Sequence, residues 1–261
     1  MPSDSYQGEN LWKTCPDPKL WTHIIIPPLY DFPITPDGYL IKSDEAPLNE
    51  CAAYQLADFL EVPVPNHFFF LLPYEFLVQK LSPIGSLCIA IEKLPITTDT
   101  GCIEKIAKHD PHLAAVFLAF SCFDRSHDLS HAILINDNFV LIDFEGQFPH
   151  YPSEGKDVAS TLNGYKAYEE NTYAECFGYA EQVEIVSGFH KELVIACKKI
   201  LGADFRPSFG PHPDADSLSN FFQKAIAQRA SFLLKKCKDS ICPSNCQSGS
   251  SDLRLDTIEP V

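Results

Sequence analysis

The chain has 261 residues, of which 45% are hydrophobic and 21% are charged, and its formal net charge is −15. This composition is typical of a globular protein with one sizeable core or two small lobes. It argues against nucleic-acid binding, because a phosphate backbone is bound mainly by clustered Lys and Arg. No apolar run reaches about 18 residues and the N-terminus is polar, so we expect no membrane insertion and no secretion, but a cytoplasmic protein.

The first part of the chain has the pattern of a small sheet with one helix. Residues 22–28 and 38–42 read as a pair of strands separated by a Pro- and Asp-rich stretch. A helix is predicted after Pro47, over residues 50–60, and the sequence VPVP ends it. Apolar runs at 67–72 and 87–92 predict further strands. We therefore expect an α+β lobe with a mostly antiparallel sheet.

The next segment begins with a Thr-rich turn at 97–100 and a helix start at Asp110, followed by Pro111. The helix sequence HLAAVFLAFSCF is apolar on nearly every side, which predicts burial. A polar loop then leads to two short strands, AILI and FVLID, which predict a hairpin that ends at Asp143.

The C-terminal part is predicted to be mainly helical. Apolar periodicity indicates amphipathic helices near 181–201 and 216–238, followed by a Ser-rich tail. The domain organisation that we predict is an extension at 1–19, an α+β lobe at 20–96, a helical lobe at 97–238 and a flexible tail at 239–261.

The cysteines divide into two groups. Those in apolar periodic segments are predicted to be buried free thiols: Cys51, Cys88, Cys122 and Cys197. Three others lie near the C-terminus: Cys237, Cys242 and Cys246. These three lack a paired C-x-x-C and a nearby histidine, so a loose thiol-bearing tail is favoured over a zinc site.

Lys42 and Glu50 form the first candidate constellation. Lys42 ends a predicted strand, and Glu50 lies on the helix face that carries Ala53 and Ala57 and must be buried. A strand lysine paired with a helix glutamate holds nucleotide phosphates in kinase folds. Spacing alone favours a simpler interpretation, in which Glu50 complements the helix dipole and Lys42 faces solvent.

Asp124 and Asp143 form the second constellation, because they stand on either side of the predicted hairpin. Paired carboxylates at loop and strand ends suit a magnesium ion and the proton of a nucleophile. Asp143 follows an apolar strand, where a charge is costly unless it is bound or solvated. We favour a functional role over a simple turn cap for Asp143.

The polar loop between these two aspartates carries His127, Asp128 and His131. The loop could bind a transition metal, or imitate the His-Asp pair of metal-dependent phosphohydrolases. That chemistry needs its His-Asp pair on helices, whereas the residues that follow are strand-like. Solvent exposure of His127 and a backbone hydrogen bond of His131 are an equally open interpretation.

Taken together, the chain resembles the HipA-like kinase family over roughly residues 20–235. The resemblance is carried by separated blocks in order: GYLIK, NECAAYQLADFLEVPVP, IGSLCIAIEKL, FLAFSCFDRS and ILINDNFVLIDFEGQF. It implies a bilobal protein-kinase-like α+β fold that binds ATP and Mg²⁺. The phosphoacceptor that it implies is a hydroxyl on a protein or small molecule. Nucleic acid and membrane are not expected as partners, given the net charge and the absence of a long apolar run.

The resemblance also implies roles for individual residues. Lys42 would contact the nucleotide phosphates, Glu50 would orient Lys42, and Glu92 would lie near the adenine. Asp124 would be the catalytic base and Asp143 would hold magnesium.

Three departures from the family pattern bear on catalysis. His131 stands where the family has a metal-binding asparagine, which favours Mn²⁺ as a second candidate metal. Cys122 stands where another asparagine is usual, and no Gly-rich phosphate loop is present in the N-terminal strands. A nucleotide-binding pseudokinase is therefore the first alternative, and a metal-dependent phosphohydrolase that uses His127 and Asp128 is the second.

Overall fold

The computed structural model describes most of the chain, namely residues 8–26, 30–43, 47–73, 87–94, 100–101, 103–124, 132–135, 138–144, 148, 151, 160–162, 166–182, 184 and 186–241. Its strands are β1 (Thr22–Ile26), β2 (Tyr30–Ile34), β3 (Tyr39–Lys42), β4 (His67–Leu71), β5 (Leu87–Glu92), β6 (Thr100–Gly101), β7 (Ala132–Ile135) and β8 (Asn138–Leu141). Its helices are α1 (Pro47–Phe59), α2 (Ile103–His109), α3 (Pro111–Asp124), α4 (Lys166–Gln182), α5 (Val186–Ala203) and α6 (Ala215–Ile241). Two short 3-10 helices, Gly8–Leu11 and Pro18–Leu20, precede β1.

The first five strands form one sheet in the order β1-β2-β3-β5-β4, and every strand pair is antiparallel. Strand β3 pairs along its whole length with β5, which places Lys42 opposite Ile89 and Tyr39 opposite Glu92. The expected antiparallel sheet and the α+β class are confirmed.

Strand β2 lies between the two strands that we predicted to form a pair, so that prediction is wrong. Its sequence YDFPI contains Asp31 and Pro33, and both residue types are rare in strands. Because proline has no N–H to donate, a central position for this segment was not expected. Strand β2 pairs along its length with β1 but meets β3 only at Ile34 and Leu40 among the described residues.

Helix α1 lies between the sheet and the C-terminal helices and is buried from Asn49 to Ala57. It belongs to a large apolar cluster that also contains Phe69 of β4, Ile89 of β5 and Phe117 of α3. The opposite face of the sheet carries a second, smaller cluster: Ile41, Phe68, Phe70, Leu72, Cys88 and Ala90. Both faces of β4 and β5 are therefore covered, which explains why their sequences are continuous apolar runs.

Helix α3 is the centre of the C-terminal part, where it packs against α2, α4, α5 and α6. The predicted start is confirmed, because the Asp110 carboxylate accepts a hydrogen bond of 2.9 Å from the Leu113 backbone N–H. The predicted hairpin is formed by β7 and β8, and β6 extends it to a three-stranded antiparallel sheet.

Several element predictions in this part need correction. Thr100, the last residue of the predicted turn at 97–100, belongs to strand β6, and residues 97–99 lie outside the described residues. Helix α2 was not predicted. Helix α4 was also missed, because the apolar residues of KAYEENTYAECFGYAEQ are spread around the helix instead of lining one face. The helix that we predicted from residue 181 begins at Val186.

Polar contacts join α1 to the segment between α5 and α6. The Gln55 side chain donates to the Ser208 carbonyl and accepts from the Ser208 N–H, both at 2.8 Å. The Trp12 indole donates to the same carbonyl at 3.2 Å.

The predicted boundary between residues 96 and 97 lies outside the described residues, and the bilobal arrangement stays a prediction.

The four predicted buried thiols, Cys51, Cys88, Cys122 and Cys197, are buried, and none of them forms a disulfide among the described residues. Cys237 was assigned to a loose tail, and that prediction is wrong, because Cys237 is a fully buried residue of α6. Cys242 and Cys246 lie outside the described residues. Within the part of the chain that the structure describes, no helix is long and apolar enough to cross a membrane.

Candidate functional site

Lys42 is the centre of a three-residue cluster that joins three separate elements. Its side chain is only 13% exposed, and its Nζ donates to Glu50 Oε1 at 2.9 Å and to Asp143 Oδ1 at 2.7 Å. Burial disfavours the charged amine, but Glu50 and then Asp143 outweigh that effect and raise the pKa of Lys42 above its usual value. Lys42 is therefore a fixed cation between two carboxylates.

Glu50 lies in the first turn of α1, and its side chain is 3% exposed. A carboxylate at this depth needs a cationic partner, and Lys42 supplies it. The simpler interpretation, in which Lys42 faces solvent and Glu50 only complements the helix dipole, is wrong. The ion pair that the resemblance implied is present.

Asp143 lies two residues beyond the end of β8, not at the strand end as predicted, and its φ is 62°. This left-handed backbone costs a non-glycine residue roughly 1–2 kcal/mol, although aspartate tolerates it better than most. The next residue, Phe144, is fully buried and makes edge-on contacts with Tyr54 at 4.7 Å and Phe120 at 5.6 Å between ring centres. The turn thus places Phe144 in the core while the Asp143 carboxylate meets Lys42.

Tyr54 is a site residue that sequence reasoning missed. It stands four residues after Glu50 in α1, is fully buried, and its ring lies 4.5 Å from that of His67. Burial, together with the carboxylates of Glu50 and Asp143, raises the pKa of Tyr54 well above its usual value. Its hydroxyl has no hydrogen-bond partner among the described residues. The i, i+4 spacing from Glu50 was the available signal.

Asn49 is a second residue that sequence reasoning did not single out for a site role. Its side chain is buried, and its Nδ2 donates to the Phe148 carbonyl at 2.9 Å. This contact ties the first turn of α1, which carries Glu50, to the chain that follows Asp143. A buried amide at a helix start could have been noticed, but its partner is 99 residues away.

Glu92 lies outside this cluster. Glu92 is the last residue of β5. Lys42 lies opposite Ile89, three residues earlier in the same strand, so Glu92 is offset from Lys42 by roughly 10 Å along the strand. Its carboxylate accepts a hydrogen bond of 2.6 Å from Asn66. The structure therefore assigns Glu92 a local partner, and its predicted place near the adenine stays a prediction.

Asp124 is the last residue of α3, and the structure describes its backbone but not its side chain. His127, Asp128 and His131 lie outside the described residues. Among the described residues, no group of three or more His, Cys, Asp or Glu side chains is arranged to hold a metal. The Asp143 side chain is 39% exposed beside the cluster, and its carboxylate oxygens are of the type that could hold a magnesium ion.

A cavity of about 280 Å³ lies between the end of α1, α3 and α5, and Lys42, Glu50 and Asp143 do not line it. Its walls are mostly apolar and include Phe120, the residue that also contacts Phe144. We place the candidate site at Lys42 rather than in this cavity, because charged groups whose pKa is perturbed by burial and by a specific partner cluster at functional sites.

Comparison with known proteins adds no family to this description. No protein-family model matches the chain, and a search of curated proteins finds no match.

Proposed function

We propose that the chain is a HipA-like kinase that binds ATP with Mg²⁺ and transfers the γ-phosphoryl group to a hydroxyl on a protein or small molecule. The observation that carries the proposal is the bond pattern of Lys42, whose Nζ contacts Glu50 at 2.9 Å and Asp143 at 2.7 Å. In the sequence, Glu50 lies 8 positions and Asp143 lies 101 positions after Lys42. They come together in the combination that a kinase uses to hold nucleotide phosphates.

Each residue has a distinct part in the proposed site. Glu50 orients Lys42 from α1, so that the ammonium reaches phosphate oxygens without a search through rotamers. Asp143 is more exposed than Glu50 and supplies an oxygen ligand for the metal. Asp124, at the end of α3, accepts the proton of the attacking hydroxyl.

The charge of the site supports metal dependence. One ammonium and two carboxylates leave a net negative charge, in a protein whose formal net charge is −15. Free ATP would be repelled by this field, whereas bound Mg²⁺ neutralises part of the triphosphate charge. We expect nucleotide binding to require the metal, with Asp143 and His131 as the ligands from this chain.

His131 makes the choice of metal a separate question. Imidazole nitrogen prefers Mn²⁺ or other transition ions to Mg²⁺. We expect the parent chain to work better with Mn²⁺, and His131→Asn to increase Mg²⁺-supported activity. Equal metal preference in the two proteins would remove His131 from the metal site.

Nucleotide binding without transfer is the second candidate function, and the position of Cys122 favours it. Cys122 stands where the family has an asparagine, and it is 1% exposed beside the buried thiol of Cys176. A side chain packed in the helical core does not replace a polar residue of a catalytic loop. Binding with no transfer under either metal would favour this candidate.

The test is transfer of label from [γ-³²P]ATP, with Mg²⁺ or Mn²⁺, to the protein itself, to candidate acceptors and to water. We expect slow label transfer by the parent chain. Asp124→Asn should lose transfer but keep ATP binding, whereas Asp143→Asn should lose both. Transfer that is unchanged in both variants would refute the assigned roles, and its absence in the parent under all metals would refute the kinase proposal.

A further inference from the structure

Arg229 is a buried charged residue that the proposed site does not yet use. It lies in the middle of α6 and is 1% exposed. Arginine is almost never fully buried unless its charge is compensated, because removing the guanidinium from water is costly. A specific set of contacts must therefore hold it in the core.

Two described contacts of Arg229 are with Phe123, at the end of α3, and with Phe148. Its Nη1 donates to the backbone carbonyl of Phe123, the residue before the last one of that helix. The final carbonyls of a helix lack partners within the helix, and a cation near them complements the helix dipole. The guanidinium also lies over the Phe148 ring, with its Cζ 5.4 Å from the ring centre. Arg229 thus closes the C-terminal end of α3.

This position links Arg229 to both sides of the candidate site. Phe123 directly precedes Asp124, the proposed base. Phe148, whose ring lies under the guanidinium, accepts through its carbonyl the hydrogen bond of Asn49, the neighbour of Glu50. One buried cation therefore contacts the residue that leads into Asp124 and the residue that anchors the start of α1.

We infer that Arg229 is a positioning residue that fixes the last turn of α3 and, with it, the backbone of Asp124. The inference rests on the proposed kinase function, in which Asp124 accepts the proton of the attacking hydroxyl. Arg229 acts through its hydrogen bond to the Phe123 carbonyl. Its described contact with Phe148 is to the ring, whereas Asn49 binds the Phe148 backbone carbonyl, so we expect the start of α1 to keep its anchor when Arg229 is replaced. It should therefore affect the rate of transfer and leave ATP binding at Lys42 and Asp143 unchanged.

Substitution can separate this role from simple packing. Methionine fills most of the arginine volume, and replacing a buried charge by an apolar side chain is often tolerated by a fold. Methionine cannot donate to the Phe123 carbonyl, and it has no charge beside the helix end. Arg229→Met should therefore remove the positioning effect, and Arg229→Lys, which keeps a charge and a donor, should restore part of it.

The experiment measures kcat and KM for ATP by ADP formation in the parent, Arg229→Met, Arg229→Lys and a matched control, Arg206→Met. Arg206 is 42% exposed and contacts Asp216 at 3.4 Å, so its loss should change neither constant. We expect Arg229→Met to lower kcat by roughly tenfold or more, because small misplacements of catalytic groups are costly. KM should stay within about twofold, and Arg229→Lys should recover part of kcat.

Amide hydrogen exchange of the same proteins gives a second readout. Arg229→Met should speed exchange in the peptide that ends at Asp124, and Arg206→Met should not. An active parent with unchanged kcat in Arg229→Met would overturn the inference and leave the kinase proposal intact.

If Arg229→Met does not fold, the kinetics of Arg229→Lys test whether Arg229 positions Asp124. A folded Arg229→Lys protein with lowered kcat and unchanged KM supports the inference, and one with parental kcat overturns it. An inactive parent refutes the kinase function and the role in catalysis. In that case amide exchange at the end of α3 tests whether Arg229 fixes the last turn of that helix. Equal exchange in the parent and in the Arg229 variant would overturn this structural claim too.

Discussion

Two lysine–carboxylate pairs in this protein have the same length but different surroundings. Lys42 contacts Asp143 at 2.7 Å, and Lys199 contacts Glu61 at 2.7 Å. The side chain of Lys42 is 13% exposed and has a second carboxylate partner, whereas Lys199 is 36% exposed and Glu61 is 83% exposed. Water screens the second pair and cannot screen the first to the same extent. Equal distances therefore do not imply equal energies.

The backbone of the two carboxylate residues sharpens the contrast. Glu61 has φ 61° and Asp143 has φ 62°, so both adopt the left-handed conformation. At Glu61 a helix end explains it: the N–H groups of Glu61 and Val62 donate to the carbonyls of Asp58 and Ala57, which closes α1 in a Schellman motif. Asp143 follows a strand. Its left-handed turn instead brings its carboxylate to Lys42 and Phe144 into the core.

The largest expected effect is on stability after Lys42→Met. The substitution leaves Glu50, which is 3% exposed, without its cation, and breaking a buried pair in this way typically costs about 3 kcal/mol or more. Lys199→Met, the matched control, should change the free energy of unfolding by less than about 0.5 kcal/mol. Urea denaturation of both variants measures the difference. Equal losses would show that burial does not distinguish the two pairs.

The pH dependence of the Lys42 contribution follows from its raised pKa. A lysine whose pKa is higher in the folded state stabilises fully below its unfolded value of 10.5, and the stabilisation is lost as pH rises towards the folded value. The stability difference between the parent and Lys42→Met should therefore be constant from pH 8 to pH 10 and shrink above 10.5. A difference that shrinks below pH 9 would contradict the assigned pairing.

Tyr54→Phe should stabilise the protein by about 1 kcal/mol, because it removes a buried hydroxyl that has no hydrogen-bond partner among the described residues. The phenyl ring keeps the edge-on contact with Phe144. Thermal or urea unfolding measures the change. A loss of stability would contradict this expectation and show that the hydroxyl makes a stabilising contact.

The smallest expected effect is at the exposed pair. Glu61→Gly should raise the free energy of unfolding by about 0.5 kcal/mol, since glycine adopts the left-handed conformation without strain but gains freedom in the unfolded chain. The loss of the contact with Lys199 should cost little. Urea denaturation at low and high salt measures the change in the free energy of unfolding and separates the salt-dependent contribution of the Lys199 contact from that of the backbone. A loss of more than 1 kcal/mol would show that the exposed pair stabilises the protein after all.

The sequence predicted elements that depend on local patterns. The cap at Asp110, the apolar runs of β4 and β5 and the helix that carries Glu50 follow from residues close in sequence. Strand β2 was missed because Pro33 argues locally against a strand, and pairing with β1 overrides that preference.

The family resemblance predicted the pairing of Lys42 with Glu50, but it did not predict the contact of Lys42 with Asp143. Nothing local decides whether Lys42 faces solvent or Glu50, and spacing alone favoured the wrong choice. The contact with Asp143 spans 101 positions, and the left-handed turn at Asp143 depends on the burial of Phe144 against Tyr54 and Phe120. Arg229 was not noticed because it resembles any polar residue of an amphipathic helix until its burial is known.

The most direct test of the Lys42 cluster as a nucleotide-phosphate site is calorimetric titration of ATP into the parent, Asp143→Asn and Lys199→Met, with and without Mg²⁺. We predict that the parent binds ATP only with Mg²⁺ and that the affinity of Lys199→Met is within about twofold of the parent's. Asp143→Asn should bind at least about tenfold more weakly, which is a loss of about 1.4 kcal/mol or more in binding free energy. Asparagine should keep the left-handed turn, so the loss would report the carboxylate rather than the backbone. Equal affinity of Asp143→Asn and the parent would contradict the assignment of the Lys42 cluster as a nucleotide-phosphate site. So would the absence of ATP binding by the folded parent both with and without Mg²⁺.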